Sequence, residues 1–129
     1  MEPVLTRMAE LMTRDAGLLK ASENTNLTIA YEFPDVGVLF YTRLMDGTVA
    51  AGLGATYGAD IKLRMNSEVF DGMFTGTVNP VSAFELGRLA FSGSMTTAMR
   101  LQDLIPDFGR VYLQAKADRL SESGVARPP

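Results

Sequence analysis

The stretch Leu27–Ala55, LTIAYEFPDVGVLFYTRLMDGTVAAGLGA, carries the reading of the fold. Leu27, Ile29, Tyr31 and Phe33 alternate with Thr28, Ala30 and Glu32, the period of a half-buried strand. Pro34-Asp35 turns the chain, and Val36–Met45 follows as a second strand, apolar on both faces for much of its length. Asp46-Gly47 is a hairpin signal because both residues tolerate positive φ. Thr48–Ala55 returns as a third strand. Connections this short favour antiparallel pairing.

Outward from this core the chain is mixed. Upstream, Val4, Leu5, Met8, Leu11, Met12, Ala16 and Leu19 form one stripe, which predicts a single amphipathic helix over residues 4–19. Downstream, Asp60–Met65 alternates as a fourth strand. Asn66 or Ser67 caps a helix through Val69, Phe70, Met73 and Phe74 that stops near Gly76. Asn79-Pro80 opens a short helix to Leu86, and Leu89 and Phe91 mark a fifth strand. Ser94 caps a further helix that Pro106 ends or kinks, and a last amphipathic helix spans Asp107–Leu120. The expectation is one α+β domain over residues 1–120, with a frayed tail at 121–129. Its five-stranded, mostly antiparallel sheet is covered by helices on one side.

Composition removes several function classes. The 129 residues carry a net charge of −3 with scattered basic residues, which argues against a nucleic-acid partner. No cysteine is present, so there is no thiolate nucleophile or zinc–thiolate site. No histidine is present either, which excludes a Ser-His-Asp triad and leaves no side chain titrating ordinarily near neutrality. Asp60, Asp71, Asp103 and Asp107 sit apart among polar positions and read as solvated surface. No catalytic residue, metal site or cofactor is assigned. With no basic-plus-apolar leader, no membrane-length apolar run and no peroxisomal ending, the expected location is the cytoplasm.

The apolar features have two readings each. Ala50, Gly52 and Gly54 leave one face of the third strand nearly bare: either the strand bulges or a helix approaches closely, or the face is the floor for a bulky apolar ligand. Phe70, Met73, Phe74, Phe84, Met95, Met99, Ile105, Phe108 and Tyr112 are all expected to face the sheet, as core or as the wall of a binding site; methionine suits varied apolar shapes. On the helix after Ser94, Leu101, Ile105, Ala98, Gln102, Met95 and Met99 fall around one arc of roughly 160°. That arc points Gln102 inward, where its amide braces backbone groups or meets a ligand.

Residues Ala59–Leu104 closely resemble the sterol carrier protein (sterol-transfer domain) family. The likeness rests on Met65, Phe70, Thr75-Gly76, Asn79-Pro80, Ala83-Phe84, Gly87, Leu89, Gly93, Met95, Ala98-Met99, Leu101 and Gln102 at the family's spacings. It implies an apolar tunnel between sheet and helices that binds sterols, fatty acids, acyl-CoA or phospholipids without chemistry. Implied partners are a lipid or other hydrophobic small molecule, with transient contact to a membrane surface or an enzyme. The site residues it implies are Phe70, Met73, Phe74, Phe84, Met95, Met99, Gln102, Ile105, Phe108 and Tyr112, the last two gating the mouth if the final helix is a lid. Ala90 and Ser92 stand where many members carry lysines, so the basic rim is thinner. A second implied role is an accessory module that presents a hydrophobic biosynthetic intermediate, such as a prenylated quinone precursor, to a partner enzyme through the 4–19 helix.

Overall fold

The computed structural model describes residues 1–123, and the side chains of residues 1–120. The chain forms α1 (Glu2–Met12), α2 (Ala16–Ser22), β1 (Leu27–Phe33), β2 (Val38–Met45), β3 (Thr48–Leu53), β4 (Ile61–Met65), α3 (Ser67–Thr75), α4 (Pro80–Glu85), β5 (Leu89–Gly93) and α5 (Met95–Ser123). One sheet has the order β3-β2-β1-β4-β5. All neighbours are antiparallel except β1 and β4, which run parallel with Ile29 opposite Ile61.

The parallel pair follows from the crossover at residues 54–60. From edge strand β3 the chain must pass β2 and β1, about 14 Å at the ordinary strand spacing. Outward-facing side chains pin the crossing. Arg43 donates to Thr56 Oγ1 and to the Tyr57 carbonyl, each at 3.0 Å, and Asp60 accepts from the Thr28 amide at 2.8 Å.

Inward side chains follow the pleat. Leu27, Ile29, Tyr31 and Phe33 line up with Leu44, Thr42, Phe40 and Val38, and all are buried. α1 lays Leu5, Met8, Ala9 and Met12 onto β3 and α5. The face of α1 offered above to a partner enzyme is therefore core.

The expected 4–19 helix is two helices. Thr13 and Arg14 form a turn, and Asp15 caps α2 by accepting from the Leu18 amide at 3.0 Å. Arg110 also binds Asp15, through two guanidinium nitrogens, and so ties α2 to α5. The Arg110 bonds hold the Asp15 carboxyl below its ordinary value of 3.8; burial opposes this and the Leu18 amide assists it. A carboxyl depressed in the folded state contributes stability above 3.8, lost as pH falls through the folded value. Asp15→Ala is therefore expected to cost about 1 kcal/mol at neutral pH in urea unfolding. The gap between variant and parent should close in strong acid.

At the other end, Pro106 neither ends nor splits the helix, and α5 runs unbroken to Ser123. It thus continues past residue 121, where the tail was expected; residues 124–129 lie outside the described residues. Asn66 occupies the cap position of α3 without a side-chain bond. Asp35, from the β1–β2 turn, takes its place by accepting from the Ser67 amide at 2.9 Å and from the Ser67 hydroxyl.

Candidate functional site

The seam between sheet and helices, where the tunnel is expected, holds a chain of aromatic rings. Phe70 of α3 sits at its centre. Its ring centroid lies 6.0 Å from Tyr31, 5.1 Å from Phe33, 5.0 Å from Phe74 and 5.2 Å from Tyr112, each in an edge-to-face arrangement. Such pairs add about 0.5–1.5 kcal/mol each beyond area burial. Gly109 lets α3 and α5 approach here, since a Cβ on it would stand 3.1 Å from Phe74.

Polar groups clamp the same two helices. The Tyr112 hydroxyl donates to Asp71 Oδ1 at 2.6 Å, and the Lys116 ammonium donates to the same oxygen at 2.7 Å. Burial works to raise the Asp71 carboxyl, but the bonds from Lys116 and Tyr112 outweigh it and bring it below the ordinary range. Burial, and then the bond to Asp71, pushes the Tyr112 phenol up, so it stays a neutral donor. Burial also raises Tyr31, whose hydroxyl meets Thr42 Oγ1 at 3.2 Å. No group of three or more acidic side chains among the described residues is placed to hold a metal ion.

The ten residues expected to line a site divide into three sets. Phe70, Phe108 and Tyr112 are core, each 2% exposed; Phe108 and Tyr112 are packed inside rather than standing at a mouth. Met73, Phe74 and Ile105 are half-buried. Phe84, Met95, Met99 and Gln102 are exposed, which corrects the expectation that all of them face the sheet.

The unbroken course of α5 explains the correction. Its buried face is set by Phe108, Val111, Tyr112 and Ala115, and stepping back by three or four residues lands on Leu104 and Leu101. At about 100° per residue, Met95, Met99 and Gln102 then share a stripe roughly 100–180° round from the middle of that face. The arc read from sequence is contiguous, but only its Leu101 edge reaches the buried face, and its Gln102, Met95 and Met99 end is turned outward.

Sequence reasoning missed two further exposed apolar side chains. Leu86 is 74% exposed and Val81 58%, beside Phe84 at 55%, Met95 at 74% and Met99 at 63%. These five lie in α4, the turn after it and the first turns of α5, with β5 between. The excess of large apolar residues between Asn79-Pro80 and Pro106 was the available signal.

The bare face of β3 is met neither by a bulge nor by a helix, but at Gly52 by a side chain of the adjacent strand. Gly52 pairs with Tyr41 on the outward side of the sheet, where a Cβ would stand 3.4 Å from the Tyr41 ring. It is not the floor of the seam.

Among solved structures, the chain is similar to the protein TT1886 from Thermus thermophilus, described as possibly a sterol carrier protein. The TM-score is 0.64 at 17% identity, covering 89% of this chain and 87% of that one. Sterol carrier protein 2 from Yarrowia lipolytica, in its apo form, gives 0.61 at 18% identity, covering 76% and 84%. A ubiquinone synthesis protein, UbiJ-SCP2, gives 0.54 at 12% identity, covering 84% of each. The sec-alkylsulfatase Pisa1 from Pseudomonas sp. also matches, at 15% identity and a TM-score of 0.58, but this chain spans only 14% of that enzyme's length. The search of curated proteins gives no match. The sequence of residues 8–106 matches the SCP-2 sterol transfer family, a span that runs from within α1 to Pro106 and includes Phe70, Phe74 and the Met95–Met99 stripe. The chain belongs to the SCP-2 sterol transfer family.

Proposed function

We propose that the protein binds a hydrophobic lipid at the α3–α4–α5 end of the seam and carries it without chemistry. The observation that supports this most is the exposed set Val81, Phe84, Leu86, Met95 and Met99, next in sequence to the half-buried Met73, Phe74 and Ile105. A folded protein keeps so much large apolar surface in one short segment where something else covers it. Removing that surface from water contributes about 25 cal/mol per Å² before the costs of binding.

In this reading Phe70, Phe108 and Tyr112 form the rigid inner wall, and Met73, Phe74 and Ile105 form the lining. Phe84, Met95 and Met99 close over the ligand, while Gln102, in the same stripe, meets a polar head group. The Asp71–Tyr112–Lys116 clamp holds α3 against α5 as the wall adapts.

Native mass spectrometry after gentle purification is the test: a lipid adduct is expected, and a bare chain across a broad lipid panel would overturn the reading. A Phe84→Asp, Met99→Asp double variant should weaken lipid binding at least about tenfold, because each charge must be desolvated under the ligand. Both positions are exposed, so its urea midpoint should match the parent's.

A further inference from the structure

The outward face of the sheet carries a feature that lipid carriage in the seam does not use. A groove of about 340 Å³ runs across β2, β1, β4 and β5, lined by Ala30, Leu39, Lys62, Arg64, Ala90 and Ser92 with Glu32 at its side. The register explains its shape. Ala30, Lys62 and Ser92 form one row across the sheet, and Leu39, Glu32, Arg64 and Ala90 form the next. Alanine at 30 and 90 and serine at 92 leave room between the taller Leu39, Lys62 and Arg64. Longer side chains at 90 and 92 would fill it.

The charges here are not balanced. Arg64 pairs with Glu32 at 3.5 Å, so the two largely cancel. Arg43, on the same face, is committed to Thr28, Thr56 and the Tyr57 carbonyl. Lys62 is exposed and has no hydrogen bond or ion pair among the described residues. An apolar trough with one uncompensated ammonium thus sits on a chain whose net charge is −3.

We infer that this groove is a second binding site, for a single-chain amphiphile with an anionic head. Lys62 holds the head group, and the chain lies over Ala30 and Ala90 against Leu39. The volume, at the lower end of the range for ligand pockets, suits one hydrocarbon chain rather than two. A charged hydrogen bond to Lys62 fixes polarity, and the sheet supplies a rigid floor.

The test is amide NMR with dodecanoate kept below micelle formation. Amides of Ala30, Lys62, Ala90 and Ser92 should shift saturably. Lys62→Met, which keeps the aliphatic stem, should weaken that response about tenfold. Dodecyltrimethylammonium should leave these amides unmoved. Methionine methyl signals from Met73 and Met99 report the seam in the same samples, so the two sites succeed or fail separately. The inference is overturned if the groove amides stay still, if both head-group charges shift them alike, or if Lys62→Met binds dodecanoate as the parent does. Response only to anionic vesicles, with none to monomeric dodecanoate, would also overturn it and point to a bilayer surface.

Discussion

Replacing Phe70 by alanine should remove about 3–5 kcal/mol of stability, the largest effect expected of any single core substitution here. Phe70 is 2% exposed and meets Tyr31 and Phe33 of the sheet, Phe74 of its own helix and Tyr112 of α5. Truncation therefore opens a cavity where β1, α3 and α5 converge, and four edge-to-face ring contacts disappear together. The neighbours have little freedom to collapse into the space. Tyr112 is held by Asp71, and Tyr31 is held in the middle of the sheet between β2 and β4. Urea unfolding followed by circular dichroism measures the loss; Phe70→Leu, which retains most of the volume, should cost markedly less. A Phe70→Ala variant within about 1 kcal/mol of the parent would contradict this packing.

The second large effect is expected at Gly93, the last residue of β5. Its φ is +143°, and a Cβ there would lie 2.6 Å from the Asp60 carbonyl oxygen and 3.3 Å from the Ile61 Cα. Both obstacles are backbone, so no side chain can swing aside. Gly93 pairs with Ile61 and leads directly into α5, while Asp60 anchors the β3–β4 crossover to Thr28. A methyl group must push apart the β4–β5 end and shift the start of α5, at a cost of about 2–4 kcal/mol. Gly87 is the control. Its φ is +74°, but nothing lies within 4 Å of its added Cβ, so Gly87→Ala should cost only about 1–2 kcal/mol. Equal losses at the two positions would contradict the clash.

Local pattern carried most of the fold. The alternation of Leu27 to Phe33 and the Asp46-Gly47 turn give β1, β2 and β3 directly, since inward and outward faces are written at period two. The place of β4 was not legible. Whether β4 pairs with β3 or crosses to β1 depends on Arg43 and Asp60 meeting distant backbone and hydroxyl groups, and no local pattern records that. Asp15 was equally hidden, because the stripe from Val4 to Leu19 continues across the break; only the cap and its bond to Arg110, far along the chain, reveal two helices.

For the candidate site, the family signature singled out α3, α4 and α5, while periodicity turned Gln102, Met95 and Met99 inward, where the structure exposes them. A face is fixed by the whole helix, and a pattern cut at Pro106 holds only its first turns. Once α5 is continuous, Phe108 to Ala115 decide which side is buried. The outward groove escaped because small residues such as Ala30 and Ala90 announce nothing until the sheet sets them beside each other.

The most direct test of lipid carriage in the seam uses the protein's own eight methionines. Their methyl signals, followed by NMR during titration with oleate, report from distinct places in the fold. Met73 is half-buried, Met95 and Met99 are exposed on the proposed covering stripe, and Met8 and Met12 are buried beneath α1. The account predicts saturable shifts at Met73, Met95 and Met99 while Met8 and Met12 stay in place. Methyl signals that do not move, or shifts confined to Met8 and Met12, would contradict it.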